Sequence, residues 1–514
     1  MRGQMASSIA FGPRIRVPVA GSVALQILKR LRALWAGGVL AVAFPALLAA
    51  QGMRISGVTT MQLVELRPLV TDSLAASSVP GTGEWRTTAD GVPAICPVSS
   101  TFCQYERSGN RISAAPVLQD LTFAAWGFAE GLSIHANLRA RTQLGGDTGF
   151  IYPRSNDHFD VLDAYAQLDR TTWQGRLGRQ WVTGGLGVYA FDGANALWRH
   201  DQFTLEGWGG RALIGGLNDP YTSAQLAAVD NLPPQQGGYL FGGRARFRPD
   251  PLTAAALTYQ RVLVADRSGL YSERASLDAS TRHFGAVVDL GLNYDFSTGN
   301  WNEARLRIGT GWSGTVGYSV EARHSRPFFE LWTIWGAFSP VGFDEERATV
   351  DWGPRGSPFT FSFRGAYRKY AESNTAGLEL RTNGWRAGGD VRWQGDGALS
   401  ASGSYDVDIG SGAASTDARA GARWIASSDL SFGVDAAVTQ NIYEFRIGTG
   451  RIYGVALDGA VRVTPDVRLA TDVGLYQHTL TNGAPGPDWT QRRASVRLEW
   501  TLGRDPGMPA GRTP

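Results

Sequence analysis

The chain has almost no lysine. Lys29 and Lys369 are the only two, so arginine supplies the rest of the 49 basic residues. Two causes stand side by side: a GC-rich coding sequence, or a pore lined by rigid guanidinium groups that pair with carboxylates. Cysteine is as scarce, with Cys96 and Cys103 alone. Past residue 52 no run reaches the roughly 18 apolar residues of a membrane-crossing helix. The net charge of +3 lacks the basic excess of a nucleic-acid binder, so no nucleic-acid partner is expected. The six histidines (His135, His158, His200, His283, His324, His478) show no H-x-x-x-H spacing, and the paired glycines open no helix. No metal and no cofactor is therefore expected.

What the chain does have is alternation. From about residue 115 onward, short stretches switch strictly between apolar and polar residues, with turn residues between them. In Gly131–Arg141, Leu132, Ile134, Ala136, Leu138 and Ala140 share one face. Ser133, His135, Asn137, Arg139 and Arg141 share the other. Phe359, Phe361 and Phe363 alternate in the same way with Thr360, Ser362 and Arg364. Val496, Leu498 and Trp500 alternate with Arg497 and Glu499. Apolar-out, polar-in strands of about ten residues are the mark of a transmembrane barrel. The expected fold is all-β: a transmembrane antiparallel up-and-down β-barrel of about 16–22 strands over residues 53–502. Trp (17), Tyr (16) and Phe (22) are plentiful enough for two interfacial girdles. Mean hydropathy is only −0.17, because lumen residues offset lipid-facing ones.

Candidate strands run from 54–68 through 118–127, 130–142, 252–265, 282–295 and 374–382 to 489–502. Short connections such as 248–251, 394–397, 427–429 and 464–466 contrast with long ones at 143–157, 215–237, 266–281, 441–449 and 479–488. Short periplasmic turns and long outer loops would explain the contrast. Residues 326–345 fall where a short turn is due, yet they are long and aromatic. They are either an inward-folded loop or short helix constricting the lumen, or a sign that the register there is one strand off. Residues 503–514, rich in Gly, Pro and Arg, read as a disordered tail.

Residues 1–52 read as a signal peptide with an upstream extension. Lys29, Arg30 and Arg32 are basic, Leu34–Leu48 is apolar, and Ala49, Ala50, Gln51 and Gly52 offer small residues for cleavage. Export makes a Cys96–Cys103 disulfide the favoured reading of the C-x6-C spacing in loop 70–115. A two-cysteine metal site would need further ligands, and no histidine falls between residues 53 and 134.

Arg176–Trp198 reads RLGRQWVTGGLGVYAFDGANALW. With Gly178, Arg179, Gln180 and then Phe191, Asp192, Gly193, it resembles the alginate-export family of outer-membrane barrels, whose hairpin porin-like channels share. The resemblance covers about 20 residues and implies an outer-membrane channel with a charged lumen. Val182–Val188 departs from that family in carrying no charge, so alginate itself is not implied. Arg179 and Asp192 either pair structurally across the hairpin or line the pore.

The expected pore-lining residues are Arg139, Arg141, Arg179, Asp192, Arg244, Arg246, Arg305, Arg307, Arg364 and Arg368. They either set ion preference, with a modest pull toward anions, or form a salt-bridge lattice that stiffens the wall. Ser133, His135 and Asn137 are similar in kind to the Ser, His and Asn of outer-membrane phospholipases. They face the polar side rather than the lipid side, so no enzymatic activity is expected. The expected function is an outer-membrane channel for passive or weakly selective diffusion of small polar or anionic solutes. The alternative is a non-conducting barrel acting as adhesin, receptor or assembly scaffold through loops 70–115 and 215–237. Expected partners are outer-membrane lipid, small polar solutes and the outer-membrane assembly machinery. The sequence leaves the oligomeric state open.

Overall fold

A computed structural model describes residues 52–503 apart from 68, 90–92, 145–158, 214–237, 265–269, 311–314, 327–341, 372–381, 396, 411–413, 445–447 and 481–487. All of the expected signal segment (1–52) but Gly52, most of the segment 326–345 and the tail from 504 lie outside these residues.

Twenty-two antiparallel strands of 10 to 17 residues form one sheet. It starts with Gly52–Leu66, continues through Pro116–Trp126, Leu132–Gln143, Phe159–Asp169, Trp173–Gly184, Gly187–His200 and Phe203–Ala212, and ends with Trp489–Gly503. The last strand pairs with the first, Gly503 opposite Arg54 and Arg493 opposite Val64, so the sheet closes into a barrel. Closure disposes of the two free edges that an open sheet would expose to lipid.

Register carries each face around the ring, because directly opposed residues point the same way. Leu138 faces Leu121, which faces Gly57, then Trp500, then Val467. One residue along, Arg139 faces Asp120, then Val58, Glu499 and Arg468. The apolar row is the outer one. Aromatic pairs flank it at the short-turn end, with ring centroids 4.8 Å apart for Phe203–Phe247 and 5.1 Å for Trp352–Phe361. At the other end Tyr294 meets Trp301 at 5.0 Å. At the closing seam the Trp500 ring lies where a Cβ of Gly57 would stand. Glycine is needed there for a close approach.

Two strand assignments differ from expectation. Residues expected in the loop 266–281 form the strand Leu270–His283. The expected strand 374–382 lies outside the described residues, and Phe359–Tyr370 and Asn383–Gln394, on either side of it, pair directly. The additional strand shifts the connections between it and Phe359–Tyr370 to the opposite end, and the direct pairing of Phe359–Tyr370 with Asn383–Gln394 restores the expected phase beyond them. The link between Val316–Ser325 and Phe343–Trp352 therefore joins the end that carries the long connections. The aromatic segment there was misplaced by one strand of register.

Beyond the first strand, four short strands (Leu69–Ala75, Trp85–Thr87, Pro93–Ile95 and Phe102–Ser108) make a separate small sheet. Cys96 and Cys103 form a disulfide in its buried layer, beside Val79 and Ala94. Ile112–Ala114 then pairs with Val64–Leu66 and returns the chain to the wall.

Candidate functional site

The hairpin of Trp173–Gly184 and Gly187–His200 does not stay in the wall. Gly178 opposes Gly193, and Gly193 opposes Gly210. A Cβ at any of the three would collide with backbone, at Ala164 O, Gly209 O and Asp192 O respectively. Gly178 also has φ +132°, a conformation L side chains rarely adopt. This glycine row lets three strands crease together.

Beyond the crease the hairpin tip meets wall strands several places along the ring, which only the concave side permits. Arg274 Nη2 donates to Leu186 O at 3.4 Å, and Tyr189 OH donates to the same carbonyl at 3.0 Å. Arg244 Nη1 donates to Thr183 O. Asp278 and Ser276 stand where a Cβ of Gly185 would be. Val182, Phe191, Trp208, Leu240 and Val262 form a buried apolar cluster on this inner side. Burying each large apolar side chain contributes about 1.5–3 kcal/mol, enough to hold a short tip inward. An uncharged tip suits this position, because a charge pressed into that cluster would need a partner.

Around the tip the inner wall is densely charged. Arg139 pairs with Asp120 at 2.7 Å and Arg141 with Asp160 at 2.8 Å. Arg244 pairs with Glu206, which also accepts from Asn195 Nδ2 at 2.9 Å. Arg364 reaches Asp406, two strands away, and Asp390 at 3.4 Å. Glu345, almost wholly buried, is held by Arg368 and by Arg347, the latter at 2.6 Å. A recess of about 510 Å³ is lined by Thr204, Arg246, Arg248, Asp278, Asp289 and Arg305, and shares Asp278 with the surroundings of the tip. Among the described residues, Arg246, Arg305 and Arg307 make no ion pair, and Arg305 Nε is buried without a hydrogen-bond partner.

Arg139, Arg141, Arg244, Arg246, Arg305, Arg307, Arg364 and Arg368 thus share the charged inner face. Arg179 and Asp192 do not. They form the expected cross-strand pair, with Nε–Oδ1 at 2.7 Å and Nη2–Oδ2 at 3.0 Å. Alternation, however, puts them on the face of Leu177 and Trp181 rather than that of Gln180 and Val182. The inward tip itself was missed in the sequence. Its signal was the uncharged VTGGLGV stretch between Gly178 and Gly193.

The Ser133–His135–Asn137 trio assembles no catalytic triad. Ser133 Oγ lies 3.0 Å from His135 Nε2, but Asn137 Nδ2 donates to Asp163 at 2.7 Å instead of orienting the ring. His135 stacks on Tyr165, with centroids 5.2 Å apart. Among the described residues no three His, Cys, Asp or Glu side chains gather as metal ligands.

A closed barrel with an apolar outer face, aromatic girdles and a charged interior defines a transmembrane β-barrel of the outer-membrane type. No protein-family model and no curated protein matches the chain in sequence. Solved structures align with most of the chain at low identity and at TM-scores below 0.5. The translocation pore of the P pilus usher (PapC) aligns at 6% identity and TM-score 0.44, over 87% of this chain and 99% of its own. OpdQ of Pseudomonas aeruginosa aligns at 9% identity and TM-score 0.36, over 88% and 98%. The copper transporter OprC aligns at 12% identity and TM-score 0.42, over 87% and 80%.

Proposed function

We propose that this protein is an outer-membrane channel for small polar or anionic solutes, with a charged lumen narrowed by the Val182–Val188 tip. The tip folded against Arg244, Arg274 and Asp278 is the observation that carries this reading. Most inner carboxylates are occupied by arginines, and among the described residues Arg246, Arg305 and Arg307 make no ion pair, against Asp278 and Asp289 in the same recess. An inner field of that kind raises the local anion concentration in a wet pore. The local likeness to the alginate-export hairpin agrees with a channel. The barrel carries no catalytic constellation in this reading.

Planar-bilayer recording tests it. Steady unitary steps with a reversal potential displaced toward that of the anion in a salt gradient are expected. Arg246→Gln with Arg305→Gln should move the reversal potential toward zero. Bilayers that stay silent under conditions where the folded barrel is inserted would refute the channel. They would favour a non-conducting receptor or adhesin acting through the small disulfide sheet.

A further inference from the structure

The recess that shares Asp278 with the hairpin tip holds charge of both signs. Arg246, Arg248 and Arg305 line it together with Asp278 and Asp289. Among the described residues none of the five makes an ion pair. Arg139, Arg141, Arg244, Arg364 and Arg368, elsewhere on the same inner face, all have carboxylate partners.

Register keeps the charges of the recess apart. On one inner row Arg246 opposes Ala256, and Ala256 opposes Asp278. On the other side Asp278 opposes Gly291, and Gly291 opposes Arg305. Each arginine is thus two strands from Asp278, about 10 Å from backbone to backbone at about 4.8 Å per strand. Only an alanine or a glycine stands between, so the floor is low on both sides of the carboxylate. The Arg305 guanidinium lies along that floor, with Nε and Nη2 each 3.6 Å from where a Cβ of Gly291 would stand. Its Nε is buried without a hydrogen-bond partner. The Asp278 carboxylate accepts one long hydrogen bond, from Ser276 Oγ at 3.4 Å, and stands against Gly185 of the tip. One row nearer the short turn, Asp289 opposes Ser280.

This arrangement discriminates against solutes of a single charge. A lone anion here lies beside two carboxylates, and a lone cation beside three guanidiniums, so each meets like charge. A solute carrying both signs, a few ångströms apart, meets an opposite charge at each end. Its carboxylate can accept a pair of hydrogen bonds from one guanidinium fork while its ammonium donates to Asp278.

We propose that this recess is a binding site for a compact zwitterion, an amine and a carboxylate close together, of the amino-acid class. Asp278 takes the ammonium, Arg305 takes the carboxylate, and Arg246 closes the other side. The proposal names a solute class within the channel reading and rests on that reading for passage past the tip.

The full-length protein in nanodiscs of deuterated lipid provides the test, read by saturation transfer to the methyl protons of three probes at slightly acid pH. Alanine carries both charges, N-acetylalanine only the carboxylate and alaninamide only the ammonium. Alanine should bind about tenfold more tightly than either, the worth of one charge-assisted hydrogen bond. Asp278→Asn should weaken alanine by about the same factor and leave N-acetylalanine unchanged or tighter. Arg305→Gln with Arg246→Gln should weaken alanine and N-acetylalanine and leave alaninamide unchanged or tighter. Structural damage alone would not produce these opposite signatures. A single-charge probe that binds as tightly as alanine, no binding of alanine, or alanine binding unchanged in both variants overturns the site. If Asp278→Asn fails to fold, seen as lost heat-modifiable migration, the arginine variant is read in its place. Binding is measured at equilibrium and needs no conducting pore. Unitary currents without a preference for alanine would refute this site and spare the channel. Alanine binding by a barrel that stays silent in bilayers would refute the channel and spare the site.

Discussion

Leu138 and Asn137 are adjacent in sequence and nearly equal in depth, yet they face opposite ways. Leu138 opposes Leu121 and Val161 on the outer face. Asn137 faces inward and donates to Asp163, whose other carboxylate oxygen is buried without a partner. Leu138 is the seventh residue of Leu132–Gln143. At about 3.3 Å per residue and a tilt near 40°, it sits about 15 Å above Leu132, near the middle of a band about 25 Å tall. Leu138→Arg should therefore cost about 2–4 kcal/mol. That is roughly a thirty- to thousandfold loss in the folding equilibrium. Asn137→Arg enters a polar wall beside an under-satisfied carboxylate and should be neutral or slightly stabilising. Reversible denaturant unfolding in lipid vesicles, followed by the gel-mobility difference between unheated and boiled protein, measures both. Equal tolerance would show that this strand does not touch lipid. Damage at Asn137 alone would show that the faces are inverted, and the inner arginine set with them.

Other outcomes follow from single contacts. Phe191→Ala removes a wholly buried ring from the hairpin cluster and should cost about 3–5 kcal/mol locally, which in the channel reading means larger or noisier unitary currents. Gly57→Leu places a side chain where the Trp500 ring lies and should impair closure, seen as lost heat-modifiable migration; Trp500→Ala in the same chain should restore it in part. Cys96→Ser with Cys103→Ser removes a cross-link worth about 2.5 kcal/mol by loop entropy. That loss should fall on the small sheet, as faster proteolysis near residue 100, and leave the barrel intact. In the same sheet the hydrogen bond from Arg107, with one from the Ser73 amide, holds the Asp72 carboxyl below its ordinary range. Its contribution is present above the ordinary carboxylate pKa and is lost as pH falls through the lowered value. In Arg107→Ala the Asp72 carboxyl returns toward its ordinary value, so the sheet should be more protease-sensitive at neutral pH and its sensitivity should change less as pH falls through the carboxylate range.

How much of this was legible depended on whether the outer face was strongly apolar. Leu132–Gln143 and Phe359–Tyr370 announce themselves because Leu132, Ile134 and Leu138, or Phe359, Phe361 and Phe363, recur on one face. Leu270–His283 does not. Its inner positions are Ser272, Arg274, Ser276, Asp278 and Ser280, and between them the outer ones are Glu273, Ala275, Leu277 and Ala279, with Leu277 the one large aliphatic residue. Such a strand is held by backbone pairing to two good neighbours, a non-local cause that no window of sequence contains. The hairpin tip was hidden for a related reason. An uncharged glycine-rich stretch reads as a turn. Only the partners brought from Arg244, Arg274 and Asp278, 61 to 93 positions away along the chain, make it a constriction.

Arg179 and Asp192 teach the opposite lesson, for there the signal was present. Their charge suggested the lumen, but phase is the stronger evidence. Arg179 stands in step with Leu177 and Trp181, and Gln180 in step with Val182. Asp192 stands in step with Ala194 and Ala196. In a barrel strand the period of two admits no exception without a bulge, and none separates these residues from their neighbours on the paired strand. A charged pair in the apolar phase therefore marks a place where the wall itself departs from a closed cylinder. The structure meets that requirement at this point: the ladder stops, Gly178 takes a positive φ, and the guanidinium satisfies the carbonyl that lost its partner.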